Sequence, residues 1–333
     1  MGTRRSRDTF SNMAYSFRHR DASVEAGIRR IASYQLRQAI AEIDAPDDGL
    51  HESIHDARKR VKKLRGLLRL VRPALEIYAE ENAHLRDAAR ELSDLRDATA
   101  LLEALDRLAA RHSDRLDGRR IAPLRRQFEA RREAASKARD LGDRMHIFRG
   151  ALSRTLTRIG DWKLDADGWD AIGPGLAKTY GRGRDAMRLA HKTGTGPDFH
   201  EWRKRVKYHG YHARLLKRIW PRMLKPHAKA VSRLGDILGE QHDLVVFQPI
   251  LPTADLKPET LHLLEEVAAE ERLALEARAL TLGPRVFTDA PGALSRRWGA
   301  WWRIWRADPA PGGQEANSPA SAASISEMLS SIP

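Results

Sequence analysis

The 333-residue sequence contains no cysteine, which excludes disulfides, thiolate nucleophiles and cysteine-ligated metal. No apolar run approaches the roughly 20 residues that a membrane span needs. The first residues, MGTRRSRDTFSNMAYSFRHR, supply arginines without the apolar segment of a signal peptide, so a cytoplasmic protein is expected. Strand-like alternation is missing, and aromatics make up only 6% of the chain. What is abundant is positive charge. Lys and Arg number 59 against 45 Asp and Glu, a formal net charge of +14, and a surplus of that size marks a polyanion partner such as nucleic acid, polyphosphate or an acidic membrane surface.

Apolar residues recur at three and four from Val24 to Arg306 among Ala, Leu, Arg and Glu, which predicts an all-α chain. Helices are expected near 22–43, 51–72, 74–110, 119–140 and 143–161, then near 170–191, 198–219, 222–248, 257–281 and 291–306, with breaks at Pro46, Pro73 and the 192–197 loop. The tail 307–333 is rich in Ala, Ser, Pro and Gly and is read as disordered.

Two stretches nearly repeat one another about 145 residues apart: ESIHDARKRVKKLRGLLRLVRP from Glu52 and DFHEWRKRVKYHGYHARLLKRIWP from Asp198. Later landmarks keep their order, with Arg96-Asp97 matched by His242-Asp243 and Ala151-Leu-Ser-Arg154 by Ala293-Leu-Ser-Arg296. An internal duplication into two four-helix-type bundles follows, residues 21–163 and 169–306, preceded by an extension at 1–20.

In the first copy Ile54, Ala57, Val61, Leu64, Leu68 and Val71 form an apolar seam. One position round the helix, His55, Arg58, Lys62, Arg65, Arg69 and Arg72 make a cationic stripe, with Lys59 and Lys63 beside it. The second copy has the seam Phe199, Trp202, Val206, His209, Ala213 and Leu216. Its stripe is His200, Arg203, Lys207, Gly210, Arg214 and Lys217. Like charges at this spacing repel, and each stripe carries one acid, Asp56 or Glu201. A solvated basic face is the bland alternative; two matched stripes favour a polyanion site. The first stripe holds no aromatic and only Tyr208 and Tyr211 border the second, so a phosphate polymer fits better than a base reader. His55 and His200 read either as phosphate donors or as structural histidines bonding a partner helix. Asp97 and Asp243 read as orienting stripe arginines or as plain interhelical salt bridges. His55-Asp56 and His242-Asp243 also permit a metal-dependent phosphohydrolase, against which the cationic neighbours argue.

The doubled His-x-x-Arg-Lys-x-x-Lys, at His55 to Lys62 and His200 to Lys207, together with Leu-x-x-Leu-Arg-Asp at Leu92 to Asp97, resembles the conserved histidine α-helical domain (CHAD) family over roughly Met13 to Arg306. The resemblance implies two pseudo-twofold bundles whose basic helices line a shared channel for inorganic polyphosphate, on polyphosphate granules. It assigns binding to His55, Arg58, Lys59, Lys62, His200, Arg203, Lys204 and Lys207, and similar additional positions at Arg30, Lys178, Arg182 and Arg184. Lys63, Arg65, Arg69 and Arg214 join them from the stripes, with Arg96, Asp97, His242 and Asp243 in support. Met13-Ala-Tyr-Ser-Phe resembles a family start, which makes residues 1–12 an extension. His242 in place of Arg96, and His209 with Gly210 in the second copy, depart from the first and predict weaker binding there. The triphosphate-processing CYTH domain of many relatives is not visible, so its activity is not expected. The expectation is a non-enzymatic polyphosphate binder with no metal site and no cofactor beyond divalent cations accompanying the polymer, no membrane contact, and at most weak, non-specific nucleic-acid binding. RNA binding is the second alternative.

Overall fold

The computed structural model describes residues 15–45 and 49–308, and the side chains of residues 94–96 are not described. Most of the expected 1–20 extension, the Pro46 break and the 309–333 tail therefore lie outside the described residues. Those described form eleven α-helices and no strand: α1 (Val24–Asp44), α2 (Leu50–Val71), α3 (Tyr78–Arg90), α4 (Ser93–Arg111), α5 (Gly118–Ser136), α6 (Leu141–Arg158), α7 (Gly168–Thr193), α8 (Gly196–Leu216), α9 (Pro221–Phe247), α10 (Pro258–Val286) and α11 (Pro291–Ala307).

Local chemistry sets the ends of these helices. Ser23 caps α1, its Oγ accepting from the Ala26 amide at 3.0 Å. Gly194, at φ +64°, ends α7 in the left-handed region, after which Thr195 caps α8. The single helix expected over 74–110 is instead two. Leu92 is fully buried in a non-helical conformation, and the chain turns there because α3 and α4 serve different neighbours.

Helix α3 packs on α2 and α6, whereas α4 pairs with α5 and lies across α9 and α10. The first half otherwise gathers α1, α2, α3 and α6; the second gathers α7, α8, α9 and α10, with α11 on α7. The α4–α5 hairpin thus belongs to the first half by sequence and packs on the second. Arg107 on α4 bonds Asp243 at 2.6 Å, Arg111 bonds Glu240 and Glu271, and Arg115 bonds Glu270. Phe128 on α5 meets Phe247 edge-on.

Buried apolar side chains form one contiguous core through both halves. The segment between the halves is tied to the start of α1: the Val24 amide donates to Asp167 and the Leu164 amide to Glu25. Helix α7 crosses α2 at Gly175, where a Cβ would stand 1.8 Å from the Leu70 carbonyl oxygen, so only glycine permits that approach.

Candidate anion-binding site

Both apolar seams are buried as the spacing predicts, every residue at 1% exposure or less, and this fixes where the cationic stripes point. Helices α2 and α8 pack on each other, most closely at Gly66, where a Cβ would meet the Tyr211 side chain at 2.8 Å. The buried His212 ring bonds the Gly66 carbonyl at 3.0 Å. Three residues on from Gly66, the Arg69 guanidinium lies over the Tyr208 ring at 3.9 Å, a cation–π contact. Moving forward along α2 therefore moves backward along α8: the helices are antiparallel. Gly66 and Tyr211 also hold the same position in the two repeated stretches, counted from His55 and His200.

On α2, Arg58 donates to the Ala89 carbonyl of α3, Arg65 to Asn82 Oδ1 at 3.1 Å and Arg69 to the Arg65 carbonyl at 2.8 Å. Lys59 pairs with Asp56 at 3.5 Å. Lys62 is exposed, and buried Lys63 lies over the Tyr15 ring at 5.7 Å. His55 is half-buried. On α8, Arg203 runs beside Gly239 of α9, Lys204 pairs with Glu201, Lys207 with Asp236 at 3.2 Å, and Arg214 donates to Ser232 Oγ at 3.1 Å. The two stripes are thus flanked by α3 and α9 respectively.

Arg65, Arg69 and Arg214 bond neutral acceptors. Several arginines elsewhere in the chain meet carboxylates, among them Arg60 with Glu42, Arg149 with Asp44 and Arg158 with Glu81. Arg72, the last residue of the expected α2 stripe, is not among the expected binding residues. Its Nε and one Nη are buried with no acceptor in the protein. Burial first, then Arg182 of α7, holds its guanidinium below the usual arginine range; burial and Arg69 do the same to Arg65. Crowding cations in partial burial is unfavourable.

The remaining predicted positions disperse. Arg182 and Lys178 are exposed on α7, and Arg182 adjoins Arg72. Arg184 lies instead near Tyr180, whose hydroxyl donates to the carbonyl of Val286, the last residue of α10. Arg30 is held by Asp21 through two 2.7 Å bonds and donates to the Ser16 carbonyl, in an N-terminal strap where the Phe17 amide bonds the Leu215 carbonyl. Of the supporting set, Asp97 is exposed and the Arg96 side chain lies outside the described residues. Asp243 bonds Arg107 of α4, an interhelical bridge, one of the two roles expected of it.

His242 faces His200, Nδ1 to Nδ1 at 3.2 Å with ring centroids 4.1 Å apart. Burial, then the partner ring and Arg203, push His242 down to about 4; burial, Lys204 and Arg203 lower His200. His209, expected as an interruption of the seam, is a core residue bonded to His227 Nε2 at 2.8 Å. Among the described residues no three His, Asp or Glu gather in a metal-binding group.

The fold and site define an all-helical protein with two antiparallel basic helices at its centre. The CHAD domain family matches residues 30–252, about two thirds of the chain, and the protein belongs to that family. The CHAD domain is linked in general to polyphosphate. Comparison with curated proteins found no match.

Proposed function

We propose that the protein binds inorganic polyphosphate, leaving it chemically intact, along a groove floored by α2 and α8. The observation that carries this is the antiparallel crossing at Gly66–Tyr211, which joins two stripes whose arginines 65, 69 and 214 have neutral partners. His55 and His200 each lie eleven residues from the crossing, so the combined stripe spans roughly 30 Å at 1.5 Å per residue. A long anion lies along both halves; a short one fits either.

The chemistry also favours a phosphate backbone over bases. Tyr208, which borders the α8 stripe, has one face covered by Arg69, and that face is closed to base stacking. Against the hydrolytic alternative stand the pairings of its acids and of one histidine: Asp56 with Lys59, Asp243 with Arg107, and His242 with His200. Association with polyphosphate granules follows from this reading as a further proposal.

The test is competition at equal phosphate and fixed ionic strength. Labelled long-chain polyphosphate should resist displacement by single-stranded RNA or duplex DNA, and its affinity should fall steeply with salt through counterion release. Equal or tighter RNA binding contradicts the proposal.

A further inference from the structure

A second surface lies beyond the C-terminal end of the α8 stripe, where the N-terminus of α9 meets α11 and Lys225 stands near Lys217. Trp220 and Trp301 touch edge-on, with ring centroids 4.9 Å apart. One turn further along each helix stand Met223 and Ile304. Trp220, Met223 and Ile304 are 42%, 50% and 45% exposed, on the two helix segments that the Trp220–Trp301 contact joins. Exposed Arg222, Lys225, Arg297 and Arg303 lie on the same two segments, Arg297 over the Trp301 ring at 5.7 Å and bonded to Asp289. Neither Pro221–Lys229 nor Pro291–Ala307 contains an acid. Such an apolar patch with a cationic rim is a docking surface, and its charge selects an acidic, apolar occupant.

The chain carries a segment of that chemistry. Residues 309–333, outside the described residues, contain Glu315 and Glu327 and no Lys or Arg. Within them Ile325, Met328, Leu329 and Ile332 recur at the i, i+3, i+4, i+7 spacing of one helix face. Ser324-x-x-Glu327 immediately ahead has the form of a capping box. The Pro, Gly, Ala and Ser-rich residues 309–323 connect this segment to the last turn of α11, which itself carries Ile304. Fifteen linker residues have a root-mean-square reach of about 20 Å, enough to return to the patch, at an effective concentration in about the millimolar range.

We infer that residues 324–332 fold onto the Trp220–Met223–Trp301–Ile304 patch of their own chain, the apolar quartet covering the tryptophans and Glu327 facing the cationic rim. The alternatives are a second copy exchanging its segment, which the basic rims oppose, and an anionic lipid surface.

All eight tryptophans precede residue 309, so acrylamide quenching of tryptophan fluorescence reads the patch and not the segment. In the full chain, Met328→Ser with Leu329→Ser should raise the quenching constant and red-shift the emission. A synthetic 309–333 peptide added to that double variant should reverse both changes. Met223→Ser, at a half-exposed position that leaves the core intact, should weaken the peptide about tenfold, about 1.4 kcal/mol, and Glu327→Lys in the peptide should weaken it further. Unchanged quenching in the double variant overturns the inference. Sedimentation that shows a dimer lost in the double variant assigns the patch to a second copy instead. Equal binding of phosphatidylglycerol vesicles by the wild type and the double variant, with loss of quenching in both, assigns it to lipid; either outcome overturns it.

Discussion

Replacing Arg72 by Met should make the unliganded protein more stable and the liganded protein less well protected. The guanidinium has two buried donors without acceptors, and Arg182 and Arg69 add like-charge repulsion while the Tyr78 hydroxyl compensates in part. A buried unsatisfied donor costs about 1–3 kcal/mol, and Met retains much of the aliphatic stem. In a chain of this length 1 kcal/mol moves Tm by roughly 2 °C, so Arg72→Met should melt roughly 2–4 °C higher without ligand. A bond from a cation to phosphate contributes about 1.5–3 kcal/mol, which makes polyphosphate binding at least about tenfold weaker. At polymer concentrations near 100 times the wild-type Kd, ligand stabilisation is about 2.7 kcal/mol and should fall to about half in the variant. Differential scanning fluorimetry with and without polyphosphate reads both effects. A lower Tm for the free variant, or an undiminished shift with polymer, would refute the claim that the α2 stripe is a strained anion site.

Acidification should destabilise the protein before its carboxylates titrate. Burial holds His212 down to about 3 and His227 down to about 4, with His209 also well below its ordinary value. Their contribution is complete above the unfolded value near 6.5 and is lost as pH falls towards the folded values, by about 1.4 kcal/mol per unit for each group; a urea midpoint equal at pH 7 and pH 5 would contradict this. Gly175→Ala should destabilise by about 1–3 kcal/mol or more, because its Cβ strikes the Leu70 carbonyl. Gly142→Ala, which meets nothing within 4 Å, should be neutral or mildly stabilising, and thermal melts of the pair check the comparison. Polyphosphate incubated with the protein and Mg²⁺ or Mn²⁺ should keep its length on a gel; release of orthophosphate lost in His242→Ala would restore the hydrolytic reading.

Periodicity made the seams of α2 and α8 legible, since burial of one face leaves a spacing in the sequence. The repeat pointed to the same two helices as the site, and the stripe already ran through Arg72. What it could not show was contact between helices. Gly66 and Tyr211 look unremarkable in sequence, yet their close approach sets the crossing; Gly210, the more conspicuous glycine, is less crowded, a Cβ there standing 3.3 Å from Val231 Cγ1. The turn at Leu92 was hidden because no Gly or Pro marks it and both flanks keep helical spacing. Its cause is tertiary: α4 leaves α3 to reach carboxylates on α9 and α10. Asp243 illustrates the same limit. Its place in the repeat allowed either a stripe arginine or a plain interhelical salt bridge; the bridge is present, but its partner, Arg107, comes on the α4–α5 hairpin from more than a hundred residues away.

The central claim is that one polyphosphate chain lies along both stripes, and a double-mutant cycle tests it most directly. Lys62→Glu alters an exposed position on α2, and Lys207→Glu sets a second acid beside Asp236 on the α8 side; neither touches an apolar seam. Calorimetric titration with long-chain polyphosphate should show that each reversal weakens binding strongly and that the double variant loses less than the two losses combined, because the second half-site no longer benefits from the first. Oligophosphates too short to reach across the crossing should show little of this coupling. Strict additivity for long chains, with circular dichroism confirming intact helices, would make the stripes independent sites and contradict the shared groove.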